Sequence, residues 1–247
     1  MDNFSRTDLA SELIKVKGRP FDGVCSVSEI VLDKALAEKY GKAEGKYVTL
    51  ETDALSGYSE RDKRRLSSAL KTELDKLVVN KRTALIVGLG NSLMTADALG
   101  AETCKLINVG DRLKTLCPNV EGNTGVDSFD VVSGVVSRIN PSVVIAIDSL
   151  AAASTSRVCR VIQMCDAGIT PGSGVSNHRR KLSFHSLGVP VISIGVPLVV
   201  YASTIIRDAG GDESGYESLI VTPKDVDFLV RECAVVLANG INATFSK

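Results

Sequence analysis

Net charge, histidine, paired cysteines and long apolar runs are all scarce in this 247-residue sequence, and each shortage removes a class of function. Lys and Arg total 29 and Asp and Glu total 29, so no overall field draws the chain to nucleic acid or to an anionic membrane, and any charge recognition must be local. The two histidines, His178 and His185, form no H-E-x-x-H, which argues against a histidine-rich metal site; neither metal nor cofactor is expected. Six cysteines occur without a C-x-x-C pair, against a zinc ribbon or a thioredoxin motif and in favour of reduced, mostly buried thiols. No apolar run approaches the roughly 20 residues that span a bilayer, and Met1-Asp-Asn-Phe-Ser-Arg6 lacks the basic start and apolar stretch of a signal peptide. A cytoplasmic protein with no membrane partner is expected.

Hydrophobic residues make up 44% of the chain and mean hydropathy is +0.14, enough to fill the core of one α/β domain spanning residues 1–247. Apolar runs alternate with helix-length segments. Strands are predicted at Lys46–Thr52, Ala84–Gly88, Lys105–Val109, Val143–Ile147, Val189–Val196 and Leu219–Val221, and helices at Ser59–Val78, Asp127–Ile139 and Ala153–Cys165. A last helix runs from Thr222-Pro-Lys-Asp225 to Gly240, with Thr222 as cap and Pro223 in the first turn. Thr7 or Asp8 offers a cap near the start, and Gly23–Glu29 reads as either strand or helix. This alternation implies a three-layer α/β fold, a mostly parallel sheet with helices on both faces.

Two apolar runs deliver carboxylates. Val143-Val-Ile-Ala-Ile ends on Asp148, and Ala84–Gly88 breaks at Gly88-Leu-Gly90 before Asp97 opens the next segment. In a parallel sheet both acids emerge at the carboxyl edge, where open α/β sheets bind ligands. A close pair cannot ionise freely twice, so one acid can hold a proton while the other polarises water. Taken singly, each is as readily a turn former or a helix cap. Familiar phosphate and nucleophile motifs fail: Leu93 stands where G-x-G-x-x-G needs its third glycine, Gly41–Tyr47 is one spacer short of a P-loop, and Pro171 and Val175 flank Gly172-Ser173-Gly174 where a nucleophile elbow needs glycines. The long loop from Asp166 to Lys181 carries Gly172, Ser173, Gly174, Asn177, Arg179, Arg180 and Lys181. It offers backbone N–H groups to an oxyanion and cations to an acidic partner; its plain alternative is a solvated charge run.

Several blocks, in order, are similar to the germination protease family of spore-forming bacteria: Arg6-Thr-Asp-Leu-Ala-Ser-Glu12, Tyr47–Glu51, Gly88-Leu-Gly-Asn91, Thr95–Gly100, Gly134-Val-Val, Val144–Asp148, Gly168–Val175, Pro190–Pro197 and Val221-Thr-Pro-Lys224. The resemblance implies an aspartic-type endopeptidase that cleaves small acid-soluble spore proteins after glutamate, as a homo-oligomer, a tetramer, in the cytoplasm of the spore core. It puts the two essential acids at Asp97 and Asp148. Asn91 and the Gly172-Ser173-Gly174 backbone would steady the scissile carbonyl, and Arg179, Arg180 or Lys181 would meet the glutamate. The implied fold is that of the hydrogenase maturation endopeptidases, whose G-x-G-N-x-L motif matches Gly88–Leu93. In those relatives the acid matching Asp97 binds nickel, so a metal-dependent endopeptidase is one alternative; a non-catalytic module that holds acidic peptides is the other. The chain departs from the family at Ser92–Asp97, where Trp-Asn-Val-Thr-Pro-Asp is usual, and at Tyr201, where an acid is usual. Family members are made as zymogens; with only Met1 to Ser5 ahead of the Arg6 block, either no autoprocessing or control by conformation is expected.

Overall fold

A computed structural model describes residues 7–53, 55–171, 180–216 and 218–246. In chain order the strands are β1 (Arg19–Phe21), β2 (Cys25–Leu32), β3 (Gly45–Thr52), β4 (Ala84–Gly88), β5 (Leu113–Leu116), β6 (Val143–Ala152), β7 (Val161–Cys165), β8 (Val191–Tyr201) and β9 (Ile220–Val221). The helices are α1 (Ala10–Leu13), α2 (Lys34–Tyr40), α3 (Glu60–Leu77), α4 (Leu99–Lys105), α5 (Glu121–Thr124), α6 (Ser128–Ile139), α7 (Phe184–Leu187), α8 (Ala202–Asp208) and α9 (Val226–Phe245). All strands join one sheet in the order β1-β2-β3-β7-β8-β6-β4-β5, with β9 on the far end of β8.

Side-chain alternation along the central strands builds two cores. Ala84 and Ile86 of β4 and Val143, Ile145 and Ile147 of β6 pack under α3, α4 and α9. Leu85, Val87, Val144 and Ala146 point the other way, under Val132 and Val136 of α6. This is the layered α/β architecture expected. The sheet, however, is mixed rather than mostly parallel: β4–β5, β4–β6 and β6–β8 are parallel, whereas β1–β2, β2–β3, β3–β7, β7–β8 and β8–β9 are antiparallel.

The local reasons for the other differences are plain. Residues 153–165 are not a helix: Ser154 and Ser156 close a short turn on their own side chains, Cys159 takes a left-handed φ of 56°, and the buried run Val161–Cys165 enters the sheet as β7. Lys105 ends α4 rather than opening a strand, because Leu106 and Val109 are exposed and the loop is pinned by both amide atoms of Asn242. The strand follows at Leu113–Leu116. Neither Thr7 nor Asp8 caps α1, since the Asp8 carboxylate accepts instead from Ala151 N–H at 2.8 Å. Thr222 donates to the Leu198 carbonyl at 2.9 Å, and the last helix begins later, at Val226. It also continues past Gly240, which is there for contact: a β-carbon would stand 2.6 Å from Leu70 Cδ2. By length and apolarity α9 could cross a membrane, yet 61% of that stretch is buried against the rest of the protein, as a core helix is.

Candidate active site

Asp148 is carried by β6, but the strand does not stop there; it runs four residues further, to Ala152. Val144 and Ala146 on the same face lie beneath α6, and Leu150 lies beneath Leu9, so Asp148 falls in the gap between two covers and is 7% exposed. Its Oδ1 accepts from Ser149 N–H at 2.9 Å. Beside it in register are Gly195 of β8 and then Gln163 of β7. A β-carbon at Gly195 would sit 2.5 Å from Leu150 Cγ, so the floor next to the acid stays low.

Asp97 arrives by a different route. Gly88 and Gly100 let α4 approach the end of β4 so closely that a β-carbon on either would meet backbone atoms at 2.5 Å. The Gly90 turn has φ of 93°, and a β-carbon there would fall 2.1 Å from the Asp97 carbonyl oxygen. Asn91 N–H donates to Asp97 Oδ2 at 2.7 Å, while Leu89 N–H donates to the carbonyl of Ile147, the residue before Asp148, at 2.8 Å. Asp97 is thus tied through the Gly88-Leu-Gly-Asn91 turn to the strand that holds Asp148.

Both acids line one cavity of about 940 Å³, together with Asn91, Met94, Lys181 and Tyr201. Thr7, Asp8 and Leu13 of the N-terminal segment also line it. Gln163 grips that segment with both amide atoms, accepting from Ala10 N–H at 2.8 Å and donating to the Asp8 carbonyl at 3.0 Å. Lys42 donates to the Thr7 carbonyl at 2.6 Å, and burial pulls its pKa down although Asp8 and Glu12 oppose the shift.

Lys181 faces the cavity, whereas Arg180 is engaged elsewhere: it reaches Asp130 at 2.5 Å and Asp127 at 3.3 Å and covers the Phe129 ring at the start of α6. Gly172, Ser173, Gly174, Asn177 and Arg179 lie outside the described residues. Among the described residues no group of three or more His, Cys, Asp or Glu side chains gathers as a metal-binding set. Residues that sequence reasoning did not single out are Lys42, Gln163 and the asparagines around α5. The last sit in an Asn- and Gly-rich stretch, Asn119–Gly125, whose composition marks a turn without revealing its partner.

Fold and site together define an α/β protein with an acid-lined cleft at the end of β4 and beside the middle of β6. The chain belongs to the germination protease family, whose model matches residues 3–211. A germination protease of Clostridium perfringens is 32% identical over 96% of this chain and 94% of its own length, and that of Clostridium tetani 33% over 89% and 84%. That of Halalkalibacterium halodurans is 39% identical over 76% of this chain and 56% of its own. Among solved structures, HycI, a NiFe hydrogenase maturation protease from Thermococcus kodakarensis, aligns with a TM-score of 0.45 and 20% identity, covering 70% of this chain and 98% of its own. The protein is a peptidase of spore germination acting on protein substrates.

Proposed function

We propose that this endopeptidase hydrolyses small acid-soluble spore proteins after glutamate in the cytoplasm of the spore core, using Asp97 and Asp148 as a proton-sharing pair that holds and activates water. The observation that carries the reading is that two carboxylates from segments 51 residues apart in sequence line the same cavity and are linked through one glycine turn. In such a pair one carboxyl holds the proton and later delivers it to the leaving amine. The other takes the proton from water as it attacks the carbonyl. Asn91 and the Gly172-Ser173-Gly174 backbone steady the oxyanion, and Lys181 meets the glutamate. The working form is a homo-oligomer, a tetramer.

A spore-protein peptide with an internal Glu tests this directly: fragments ending in Glu should appear, and a chelator should leave the rate unchanged. Retention of the peptide without fragments would mean a binding module instead. Loss of activity with chelator and its return with one divalent ion would mean metal chemistry on the same acids.

A further inference from the structure

The amide of Asn91 is oriented by a chain of hydrogen bonds that starts outside the peptidase motif. Asn91 Oδ1 accepts from Leu93 N–H at 3.0 Å and from Asn123 Nδ2 at 2.8 Å. Asn119 Oδ1 accepts from Val120 N–H at 2.9 Å and from the same Asn123 Nδ2 at 3.1 Å. A backbone N–H can only donate, so Leu93 and Val120 fix which end of each neighbouring amide is oxygen. Asn123 must therefore place its NH2 between two acceptors, and both of its hydrogens are used. Val120 and Gly122 of the same turn line the cavity beside Asn91, and Asn119 holds the turn with a left-handed φ of 64°. With its oxygen twice engaged, Asn91 has its Nδ2, which makes no hydrogen bond among the described residues, to offer to a ligand.

We infer that Asn123 is a positioning residue for peptide hydrolysis: it holds the Asn91 amide so that NH2, and not C=O, faces the carbonyl oxygen of the scissile bond. This rests on the reading of Asn91 as an oxyanion donor in the proposed mechanism. An amide turned the other way would set a carbonyl dipole against the developing negative charge. Loss of one such donor lowers kcat by about 10²–10³-fold.

Asn123→Asp tests the inference, because it keeps the shape but puts an acceptor against Asn91 Oδ1 and favours the turned amide. On the Glu-containing peptide, Asn91→Ala should lower kcat about 10²-fold, and Asn123→Asp nearly as much, with KM within about twofold of the parent for both. Asn123→Ala, which leaves the Leu93 bond in place, should lose less. Combining Asn91→Ala with Asn123→Asp should be no worse than Asn91→Ala alone, and melting temperatures should not move. If Asn91→Ala keeps full kcat, the donor reading falls and takes the inference with it. If Asn91→Ala is impaired while Asn123→Asp is not, or the two losses add, the inference alone is overturned. A readout independent of turnover is proton exchange at the Asn123 side-chain amide by NMR, which should be slower than at exposed Asn80; equal rates would also overturn it.

Discussion

Gly100→Ala changes one hydrogen into a methyl group and should disable the site from a distance. A β-carbon at Gly100 would stand 2.5 Å from the Leu89 carbonyl oxygen, 2.6 Å from Leu89 N and 2.7 Å from Gly88 C, and ordinary contact begins at 3.4 Å, so α4 must retreat by about 0.9 Å. The obstacles are backbone and cannot rotate aside. Overpacking of this kind costs about 1–3 kcal/mol, which in a chain of this size lowers the melting temperature by roughly 3–10 °C. Asp97 lies two residues before α4 begins, so the retreat also carries its carboxylate away from Asp148. Misplacement by about 1 Å costs on the order of 10² in kcat. Gly134→Ala is the matched control: exposed on α6 with nothing within 4 Å, it should be stabilised by about 0.5–1 kcal/mol with kcat unchanged. Thermal unfolding and peptide turnover on both variants decide the matter. A Gly100→Ala protein with parental melting temperature and kcat would refute the close approach, and lost stability with intact kcat would show that α4 does not position Asp97.

Three further outcomes are expected. Lys181→Gln should cut kcat/KM for Glu peptides well below that for Gln peptides, whereas Arg180→Gln, held at Asp127 and Asp130, should affect both alike; equal losses with Lys181→Gln would remove Lys181 from glutamate recognition. The neighbouring Cys104 thiol, Gly88 N–H and Lys105 pull the pKa of exposed Cys117 down to about 7, so alkylation at pH 7.5 should mark Cys117 first and slow as pH falls through about 7. Faster modification of Cys25, held at about 11 by burial, would contradict this. Gln163→Leu strips the partner of the buried Ala10 N–H, at about 1–3 kcal/mol, and removes one contact to the part-buried Asp8 carbonyl. Earlier melting with faster proteolysis near residues 7–13 should follow, and unchanged protection would mean the segment is held elsewhere.

Elements whose signals are local were legible in the sequence. The helices expected to open at Ser59 and Asp127 do so, with these residues as the caps of α3 and α6, and Ala84–Gly88 is a strand to the residue. The two acids, each following an apolar run, could be singled out, and they do share a cavity. What escaped depends on distant partners. Val161–Cys165 is buried throughout, Gln163 included, and becomes a strand only because β3 and β8 flank it. Asp148 reads as a strand end, yet β8 continues alongside and carries β6 on through a bulge at Leu150 and Ala151. Asn91 and Asn123 are 32 residues apart, and no spacing rule links them. Gly240 reads as a helix stop by type, while its cause is a neighbouring leucine.

The central claim, a proton-sharing pair of acids, is tested most directly by kcat for Asp97→Asn, Asp148→Asn and the double variant on a Glu-containing spore-protein peptide. Each Asn keeps the shape and removes the coupled ionisation, so each single variant should fall by about 10²–10⁴-fold and the double should be scarcely worse. A single variant with near-parental kcat, or losses that multiply in the double, would contradict the pair.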